Sequence, residues 1–194
     1  MELILQTGLE HQQRPVDAIA DVLHDVHIEQ PSQFYENPCI DLTDAKILSN
    51  IREIQQRKEL SVHHTYRKQI QSKVSLNLDI KMETGTGKTY VYTHTIYELH
   101  KRYGINKFVV VVPSLPIKAG ARAFMSDPYV LRHFKDTCGY GAEIDLCVLN
   151  AMQQKKGKKF FPSSVRAFAD GSYQNRNKIY VLLVNMQLLK TKKT

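Results

Sequence analysis

The sequence predicts an α/β domain built on a doubly wound, mainly parallel β-sheet. Apolar stretches of strand length alternate along the chain with stretches whose apolar residues recur at helical spacing. Residues 108–112 are apolar at every position, which is typical of a parallel strand covered by helices on both faces. A glycine-rich turn lies between an apolar strand, predicted at residues 78–82, and a helix. Alternation of this kind favours parallel strands joined by crossover helices.

Composition limits the kind of protein this can be. The chain has 194 residues, of which 42% are hydrophobic and 24% are charged, as in a globular domain with an adequate core. No apolar run approaches the roughly 18 residues that a membrane-spanning helix needs, so we expect no membrane partner. The three cysteines form no Cys-x-x-Cys pair, which favours free thiols in a reducing cytoplasm over a disulfide framework or a zinc site.

The first helix is predicted within residues 12–27. Proline suits the first turn of a helix and not its middle, so Pro15 places Gln12 and Gln13 just before it. The apolar positions at helical spacing are Val16, Ile19, Leu23 and Val26.

Residues 28–74 are predicted to be a polar, partly helical insertion. Asp41 and Asp44 are candidate caps for a helix within it. The apolar face of that helix consists of Ile47, Ile51 and Ile54.

The turn that ends in Lys88 and Thr89 carries the chemistry that the sequence indicates best. Gly85 and Gly87 allow a tight turn whose backbone N–H groups approach an anion without a Cβ in the way. A helix that begins near Lys88 directs its unpaired N–H groups and positive dipole end at the same anion. Lys88 can reach the β- and γ-phosphates of a nucleotide, and the hydroxyl of Thr89 can ligate Mg²⁺. Met82 stands where the full phosphate-loop pattern has glycine, a departure at the outer end of the loop.

The second half of the chain continues the alternation of elements. The helix after the loop ends at Gly104, and the strand at residues 108–112 ends at Pro113. Residues 117–134 are predicted to be helical with an interruption near Pro128. The remaining predicted elements are a strand at residues 144–149, a short helix at 163–170 and a strand at 179–184. The apolar stripe of the helix after the loop consists of Tyr92, Ile96, Leu99 and Tyr103.

The chain is basic, with a formal charge of +8, which indicates a polyanionic partner. Each lysine cluster taken alone is equally well explained as solvated surface. Together with a phosphate loop, the clusters favour nucleic acid as the partner. The clustered residues are Lys155, Lys156, Lys158 and Lys159, and then Lys190, Lys192 and Lys193.

These motifs resemble those of superfamily-two helicases, and in particular the Res (restriction) subunits of type III restriction-modification enzymes. Residues 82–89 read Met-Glu-Thr-Gly-Thr-Gly-Lys-Thr, as the first helicase motif does in those subunits. Leu-Glu-His-Gln, ending at Gln12, is similar to the adenine-reading glutamine motif, and Val-Val-Pro-Ser, ending at Ser114, is similar to the next motif. Residues 28–75 match more loosely. The similarity also includes Val-Asn-Met-Gln at residues 184–187.

The resemblance implies a RecA-like P-loop NTPase fold, apparently incomplete at the C-terminus. Residues 1–27 would form the glutamine-motif helix, 28–74 an insertion, and 75–194 the first part of the first helicase ATPase domain. The whole enzyme would be an ATP-dependent DNA translocase and endonuclease. Its partners would be double-stranded DNA and the modification (methyltransferase) subunit.

The resemblance also implies roles for individual residues. Gln12 would hydrogen-bond the adenine of ATP, with Gln13 as the alternative. Lys88 and Thr89 would be the catalytic pair, with Thr89 as the Mg²⁺ ligand. The phosphates would be held by Thr84, Gly85, Thr86, Gly87, Lys88 and Thr89.

On the nucleic-acid side, Pro113 and Ser114 would hold a DNA phosphate, a role compatible with Ser114 capping a helix. Lys118 would add charge to that contact, and Asn185 would approach the strand again. Contacts of this kind grip the backbone and do not read the base sequence.

The sequence also departs from the pattern of a complete motor. After Thr89 it has no Asp-Glu pair at the end of an apolar strand, and such a pair would hold magnesium and orient the attacking water. Neither a second motor domain with its arginine finger nor a nuclease domain is found. We therefore expect weak nucleotide binding and negligible hydrolysis. The alternatives are a stand-alone nucleotide- or nucleic-acid-binding protein, and a different phosphate-loop enzyme such as a small-molecule kinase.

Overall fold

The computed structural model describes residues 5–57, 67–70, 73–150 and 162–189. They belong to two units. The helical unit consists of Gly8–Gln30 and Pro38–Tyr103, and the sheet unit consists of Met1–Thr7, Pro31–Asn37 and Gly104–Thr194. Both lysine clusters lie outside the described residues.

The helical unit begins with α1, which spans Glu10–Asp21. Gln12 and Gln13 lie in its first turn and Pro15 lies inside it, so the prediction that both glutamines precede the helix is wrong. The missing N–H of Pro15 costs one backbone hydrogen bond. Burial of Val16, whose side chain is 0% exposed, offsets that cost.

The second helix, α2, spans Ala45–Arg57 and follows a short antiparallel pair of β1 (Ile28–Glu29) and β2 (Cys39–Ile40). The carboxylate of Asp44 accepts a hydrogen bond from the Lys46 N–H at 2.8 Å, so the predicted cap is confirmed. The predicted apolar face is confirmed as well. Its buried residues are Ile47, Ile51 and Ile54.

The segment before the glycine turn differs from the prediction. β3 (Arg67–Ile70) and β4 (Lys73–Leu76) form an antiparallel hairpin that the sequence did not indicate. Residues 78–82 form no strand, and Ile80 is 43% exposed. The strand prediction was wrong because charged residues alternate there with apolar ones. Such a stretch has one polar face, which does not suit a parallel sheet covered on both sides.

The long helix α3 spans Lys88–Tyr103 and ends before Gly104, whose φ of 69° is left-handed, as the sequence predicts. Ile96 of the predicted stripe is buried, whereas its other three members are half-buried. The helix is covered on more sides than one stripe. Its further buried side chains include Tyr90, Val91, Thr93, Thr95 and Tyr97.

Polar contacts join the last turns of α1 and α3. The guanidinium of Arg102 donates to Asp21 at 2.9 Å and to Glu98 at 2.5 Å. The hydroxyl of Tyr103 donates to the Ala20 carbonyl at 2.7 Å. These contacts fix the C-terminal ends of the two helices to each other.

The sheet unit contains three parallel strands, β5 (Lys107–Val112), β6 (Glu143–Val148) and β7 (Lys178–Asn185). Their order is β5-β7-β6, so the last strand lies in the centre. Val112 pairs with Asn185 in the register, and both strands therefore end at the same edge. The α/β class and the parallel pairing are confirmed for three of the four predicted strands.

The two faces of β5 are not equally covered. Val109 is 54% exposed and Val111 is 43% exposed, whereas every residue of β7 after Lys178 is buried. The prediction that helices cover β5 on both faces is therefore wrong. An all-apolar strand allows helices to pack on both of its faces. Its sequence does not determine whether helices are present on the second face.

Helices follow β5 as predicted, with a break at Pro128. α4 spans Leu115–Ser126, α5 spans Pro128–Arg132, a π-helical turn spans His133–Thr137, and α6 spans Ser163–Asp170. Among the described residues, none of the helices combines the length and the apolar character that a membrane crossing requires.

A side chain from the segment Pro31–Asn37 completes the start of β5. The Asn37 amide oxygen accepts hydrogen bonds from the N–H groups of Asn106 and Lys107 at 3.0 and 2.9 Å. The Asn37 amide nitrogen donates to the Lys107 carbonyl at 2.8 Å. One side chain thus pairs with the backbone as a neighbouring strand would.

Candidate functional site

The glycine turn has the backbone geometry that an anion site requires. Gly85 and Gly87 adopt left-handed φ angles of 83° and 85°. Among the described residues, no backbone carbonyl accepts a hydrogen bond from the N–H groups of residues 84–88. A Cβ on Gly85 would meet open space. The turn therefore presents a set of unengaged donors at the N-terminus of α3, where the helix dipole favours negative charge.

The side chains of the turn converge on one carbonyl. The Thr86 hydroxyl donates to the Glu83 carbonyl at 2.7 Å, and the exposed Lys88 ammonium donates to the same oxygen at 2.5 Å. These contacts hold the turn closed on itself. A phosphate bound at the turn would take the Lys88 ammonium from this carbonyl.

Gln12 contacts the same turn from α1. Its side-chain amide nitrogen donates to the Thr86 carbonyl at 3.2 Å. It also lies over Gly87, where a Cβ would stand only 2.5 Å from that nitrogen. Gln13, the alternative adenine reader, instead donates to Asp17 on its own helix at 2.9 Å. Of the two glutamines, Gln12 is the one in contact with the turn.

Thr89 lies in the first turn of α3, and Tyr92 follows it one turn later. The Thr93 hydroxyl donates to the Thr89 carbonyl at 2.7 Å. Burial raises the pKa of Tyr92, and the neighbouring Thr89 side chain lowers it to a smaller extent. Among the described residues, no group of three or more His, Cys, Asp or Glu side chains is placed to hold a metal. The assignment of Thr89 as a magnesium ligand stays a prediction.

The predicted nucleic-acid residues lie together at the carboxyl edge of the sheet. Pro113 is exposed and Ser114 is half-buried, directly after β5. Ser114 occupies the N-cap of α4, but its side chain makes no capping hydrogen bond. Asn185 ends the neighbouring strand β7 and is paired in register with Val112. Ligands of parallel sheets bind at this edge.

Asn185 is 2% exposed and only partly satisfied. Its amide oxygen accepts from the Leu188 N–H at 3.3 Å. Its amide nitrogen is buried without a hydrogen-bond partner among the described residues. A buried donor of this kind is uncommon, and it is ready to pair with an incoming acceptor.

Lys118, which the resemblance implies would add charge to the DNA contact, is a buried side chain. It is 5% exposed, and its ammonium donates to the Leu149 carbonyl and, at 3.1 Å, to the Asn150 side chain. Burial lowers the pKa of Lys118, and the positive charge of Arg122 lowers it further. A phosphate could reach this ammonium only by replacing these acceptors. Burial of this kind gives no signal in the local sequence.

Two features of these sites are not readable from the sequence. The Glu83 carbonyl, which accepts hydrogen bonds from Thr86 and Lys88, is a backbone group. The identity of a residue does not indicate what its carbonyl will accept. Tyr92 belongs to the predicted apolar stripe of the helix, so the burial of its hydroxyl without a hydrogen-bond partner among the described residues could not be foreseen.

A Gly-x-Gly-Lys-Thr turn that opens a helix, in a chain with a parallel α/β sheet, is typical of the P-loop class of α/β proteins. Residues 46–193 match the family described as type III restriction enzyme, res subunit. The chain belongs to this family, as the resemblance of its motifs implies.

Individual relatives carry the same description. The chain is 34% identical over 193 residues to the type III restriction-modification enzyme EcoPI Res subunit of Escherichia phage P1, covering 96% of this chain and 19% of the relative. It is 32% identical over 194 residues to the EcoP15I Res subunit of Escherichia coli, covering 97% and 19%. It is 48% identical over 115 residues to the StyLTI Res subunit of Salmonella typhimurium, covering 58% and 12%. The chain thus spans about a fifth or less of the length of these relatives.

Proposed function

We propose that this chain is the ATP-binding, N-terminal portion of an ATP-dependent DNA translocase and endonuclease of the type III Res kind. The observation that carries the proposal is the turn before Lys88. Its left-handed glycines leave the N–H groups of residues 84–88 without backbone acceptors among the described residues. In this proposal the fold is RecA-like. Residues 1–27 form the glutamine-motif helix, 28–74 an insertion, and 75–194 the first part of the first motor domain.

In the proposed nucleotide site, the turn from Thr84 to Thr89 binds the phosphates of ATP. The Lys88 ammonium neutralises the β- and γ-phosphates, and the Thr89 hydroxyl supplies one ligand to Mg²⁺. Mg²⁺ held there would offset the negative charge of the phosphates. Gln12, which already contacts the turn, reads the adenine edge.

In the proposed DNA site, the carboxyl edge of the sheet grips a phosphate of double-stranded DNA. The unpaired N–H groups at the start of α4, the exposed Pro113 and the uncapped Ser114 hydroxyl face the backbone, and the buried amide nitrogen of Asn185 adds a donor. Lys118 supports this edge electrostatically while its ammonium remains bonded to the end of β6. The names of the relatives include a modification component, and we propose the methyltransferase subunit as the protein partner.

A second candidate is a nucleotide-binding protein without turnover. It is favoured by one sequence observation, the lack of an Asp-Glu pair at the end of an apolar strand after Thr89. Both candidates require the same turn and predict negligible turnover, so DNA binding separates them: the translocase portion should bind duplex DNA, and a protein that binds only nucleotide should not.

Calorimetric titration of ATP into the chain with Mg²⁺ tests the nucleotide site. Lys88→Ala should lower the affinity at least tenfold, because it removes the cation that faces the phosphates. Lys101→Ala is the matched control, because Lys101 is an exposed lysine in the last turn of the same helix. Equal binding by wild type and Lys88→Ala would refute the phosphate site.

Hydrolysis and DNA binding give further arms of the test. We expect negligible ATP turnover by these 194 residues with or without duplex DNA, and appreciable DNA-stimulated turnover would contradict the assignment of an incomplete catalytic set.

Ser114→Ala should weaken binding to duplex DNA about two- to tenfold, the effect of one lost hydrogen bond. Ser126→Ala, at the other end of α4, should leave DNA binding unchanged.

DNA affinity should also fall steeply as salt rises. A response that is flat in salt would contradict a phosphate-based contact.

A further inference from the structure

The Tyr92 hydroxyl is a buried polar group without a hydrogen-bond partner among the described residues. Burying an unpaired hydroxyl costs free energy, so sequences seldom retain one that phenylalanine could replace. Tyr92 lies in α3, in the turn that follows the glycine loop. Its position calls for an explanation that a purely apolar helix face does not supply.

The geometry of a helix aims this side chain at the loop. Side chains in α-helices lean toward the N-terminus, and residues three apart share a face. Tyr92 is three residues after Thr89, so its ring extends back toward the first turn of α3. Consistent with that placement, burial raises the pKa of Tyr92, and the Thr89 side chain is near enough to lower it as a hydrogen-bond partner would, although their geometry falls short of a formed hydrogen bond.

The chemistry of a metal-ligating threonine supplies the missing partner. When Thr89 gives an oxygen lone pair to Mg²⁺, its hydroxyl proton must point away from the cation, toward an acceptor. The Thr89 carbonyl is already bonded to the Thr93 hydroxyl at 2.7 Å, and it belongs to the backbone of the same residue. Tyr92 is three residues after Thr89 on the same helix, so its oxygen, which has no hydrogen-bond partner among the described residues, can serve as that acceptor.

We propose that Tyr92 is a positioning residue for the magnesium ligand. Its phenolic oxygen accepts the hydroxyl proton of Thr89 and so turns the threonine lone pair toward the metal of a bound Mg²⁺–nucleotide complex. This inference rests on the proposed function. Tyr92 should affect ATP affinity only when Mg²⁺ is present, because nucleotide without the metal does not require a particular orientation of the Thr89 lone pair.

The test compares ATP affinity in excess MgCl₂ with ATP affinity in EDTA, and the ratio of the two defines the magnesium gain. Tyr92→Phe should reduce this gain about tenfold, in line with other residues that orient metal ligands. It should leave the affinity in EDTA unchanged. Thr89→Val should lose the gain as well, and the double variant should lose no more than Thr89→Val alone, because the two groups act as one unit.

A matched control variant and the melting temperature distinguish an effect of Tyr92→Phe on magnesium binding from a loss of protein stability. Tyr103→Phe removes a hydroxyl from the far end of the same helix, where it bonds the Ala20 carbonyl. It should lower the melting temperature and keep the magnesium gain. Tyr92→Phe should melt no lower than wild type, since it removes an unpaired buried hydroxyl.

The outcomes are distinguishable from those that test the nucleotide site. If wild type binds ATP with a magnesium gain that Tyr92→Phe retains, the positioning function is wrong and the phosphate site stands. Additive losses in the double variant would likewise overturn it. If wild type binds no ATP at all, both proposals fail together.

Discussion

The side-chain amide of Gln12 donates a hydrogen bond to the carbonyl oxygen of Thr86 at 3.2 Å, across seventy-four positions of sequence. The contact brings the start of α1 to the glycine turn. If Gln12 reads adenine as proposed, this contact would connect recognition of the base with the conformation of the loop. Three of the predictions below concern this turn or the helices that carry it.

Gln12→Ala should relax base selectivity. The ratio of ATP to GTP affinity should fall about two- to tenfold, the range expected for one lost hydrogen bond. Gln13→Ala is the control, because the Gln13 amide is engaged with Asp17 on its own helix. Competition binding with the two nucleotides measures the ratio. A loss of selectivity in Gln13→Ala alone would reverse the assignment.

Gly87→Ala and Gly85→Ala should differ in their effect on nucleotide binding. Both residues have left-handed φ angles, so each substitution carries roughly 1–2 kcal/mol of backbone strain. Only at Gly87 does the new Cβ meet the Gln12 side chain, which would stand 2.5 Å away and has to leave the turn. Gly87→Ala should therefore lose base selectivity as Gln12→Ala does, and Gly85→Ala should retain it. Equal selectivity in both variants would disprove the Gln12 contact.

Arg102→Met should lower the melting temperature of the chain by about 2–4 °C, which corresponds to about 1 kcal/mol. Burial alone would lower the pKa of Arg102, but hydrogen bonds and charge from Glu98 and Asp21 raise it, so the guanidinium is held as a cation. Arg14→Met is the matched control, because its pair with Glu10 is largely exposed and should contribute little. Thermal melting of both variants decides the question.

The stability of the protein should fall as the pH drops below about 6.5, in part because of His133. This side chain is buried, and burial lowers its pKa. The unfolded chain therefore takes up the proton first as the pH falls through about 6.5, and stability is lost down to the lowered pKa of the folded state. Above that window the contribution is constant.

His133→Gln should flatten this acid limb, even if the variant is less stable at neutral pH. Melting curves between pH about 7.5 and about 5.5 measure the slope. His11→Gln, at an exposed position of α1, should leave the slope unchanged. A slope that stays the same in His133→Gln would show that other groups govern the acid response.

Local chemistry made part of the structure predictable. The cap at Asp44, the three isoleucines of α2 and the stop at Gly104 follow from rules that act within one or two turns, and all three are confirmed. The glycine turn is likewise specified by residues that are adjacent in sequence. The carboxyl edge at Ser114 and Asn185 was also accessible, because parallel strands end on the same side.

The strand predicted at residues 78–82 failed for a local reason, whereas other features could not be predicted because they depend on partners elsewhere in the chain. Pro15 lies within α1, where burial of Val16 outweighs a lost hydrogen bond. The acceptors of Lys118 follow β6, more than thirty positions away in sequence, so its burial could not be predicted locally. The Asn37 side chain hydrogen-bonds the backbone of Lys107, seventy positions away in sequence. A local sequence pattern cannot predict such a contact. The sequence therefore identified candidate binding residues, but it did not identify the groups that those residues contact in the folded chain.

The way the chain threads through its units has a practical consequence for dissecting this protein. It leaves one unit for the other after Thr7, Gln30, Asn37 and Tyr103. No single cut can therefore release either unit whole. A shortened chain that starts at Gly104 would lack Asn37. The N–H groups of Asn106 and Lys107 would then lose the hydrogen bonds that they donate to its amide oxygen. Excision should yield material that precipitates or is rapidly digested, so binding studies belong with the uncut polypeptide.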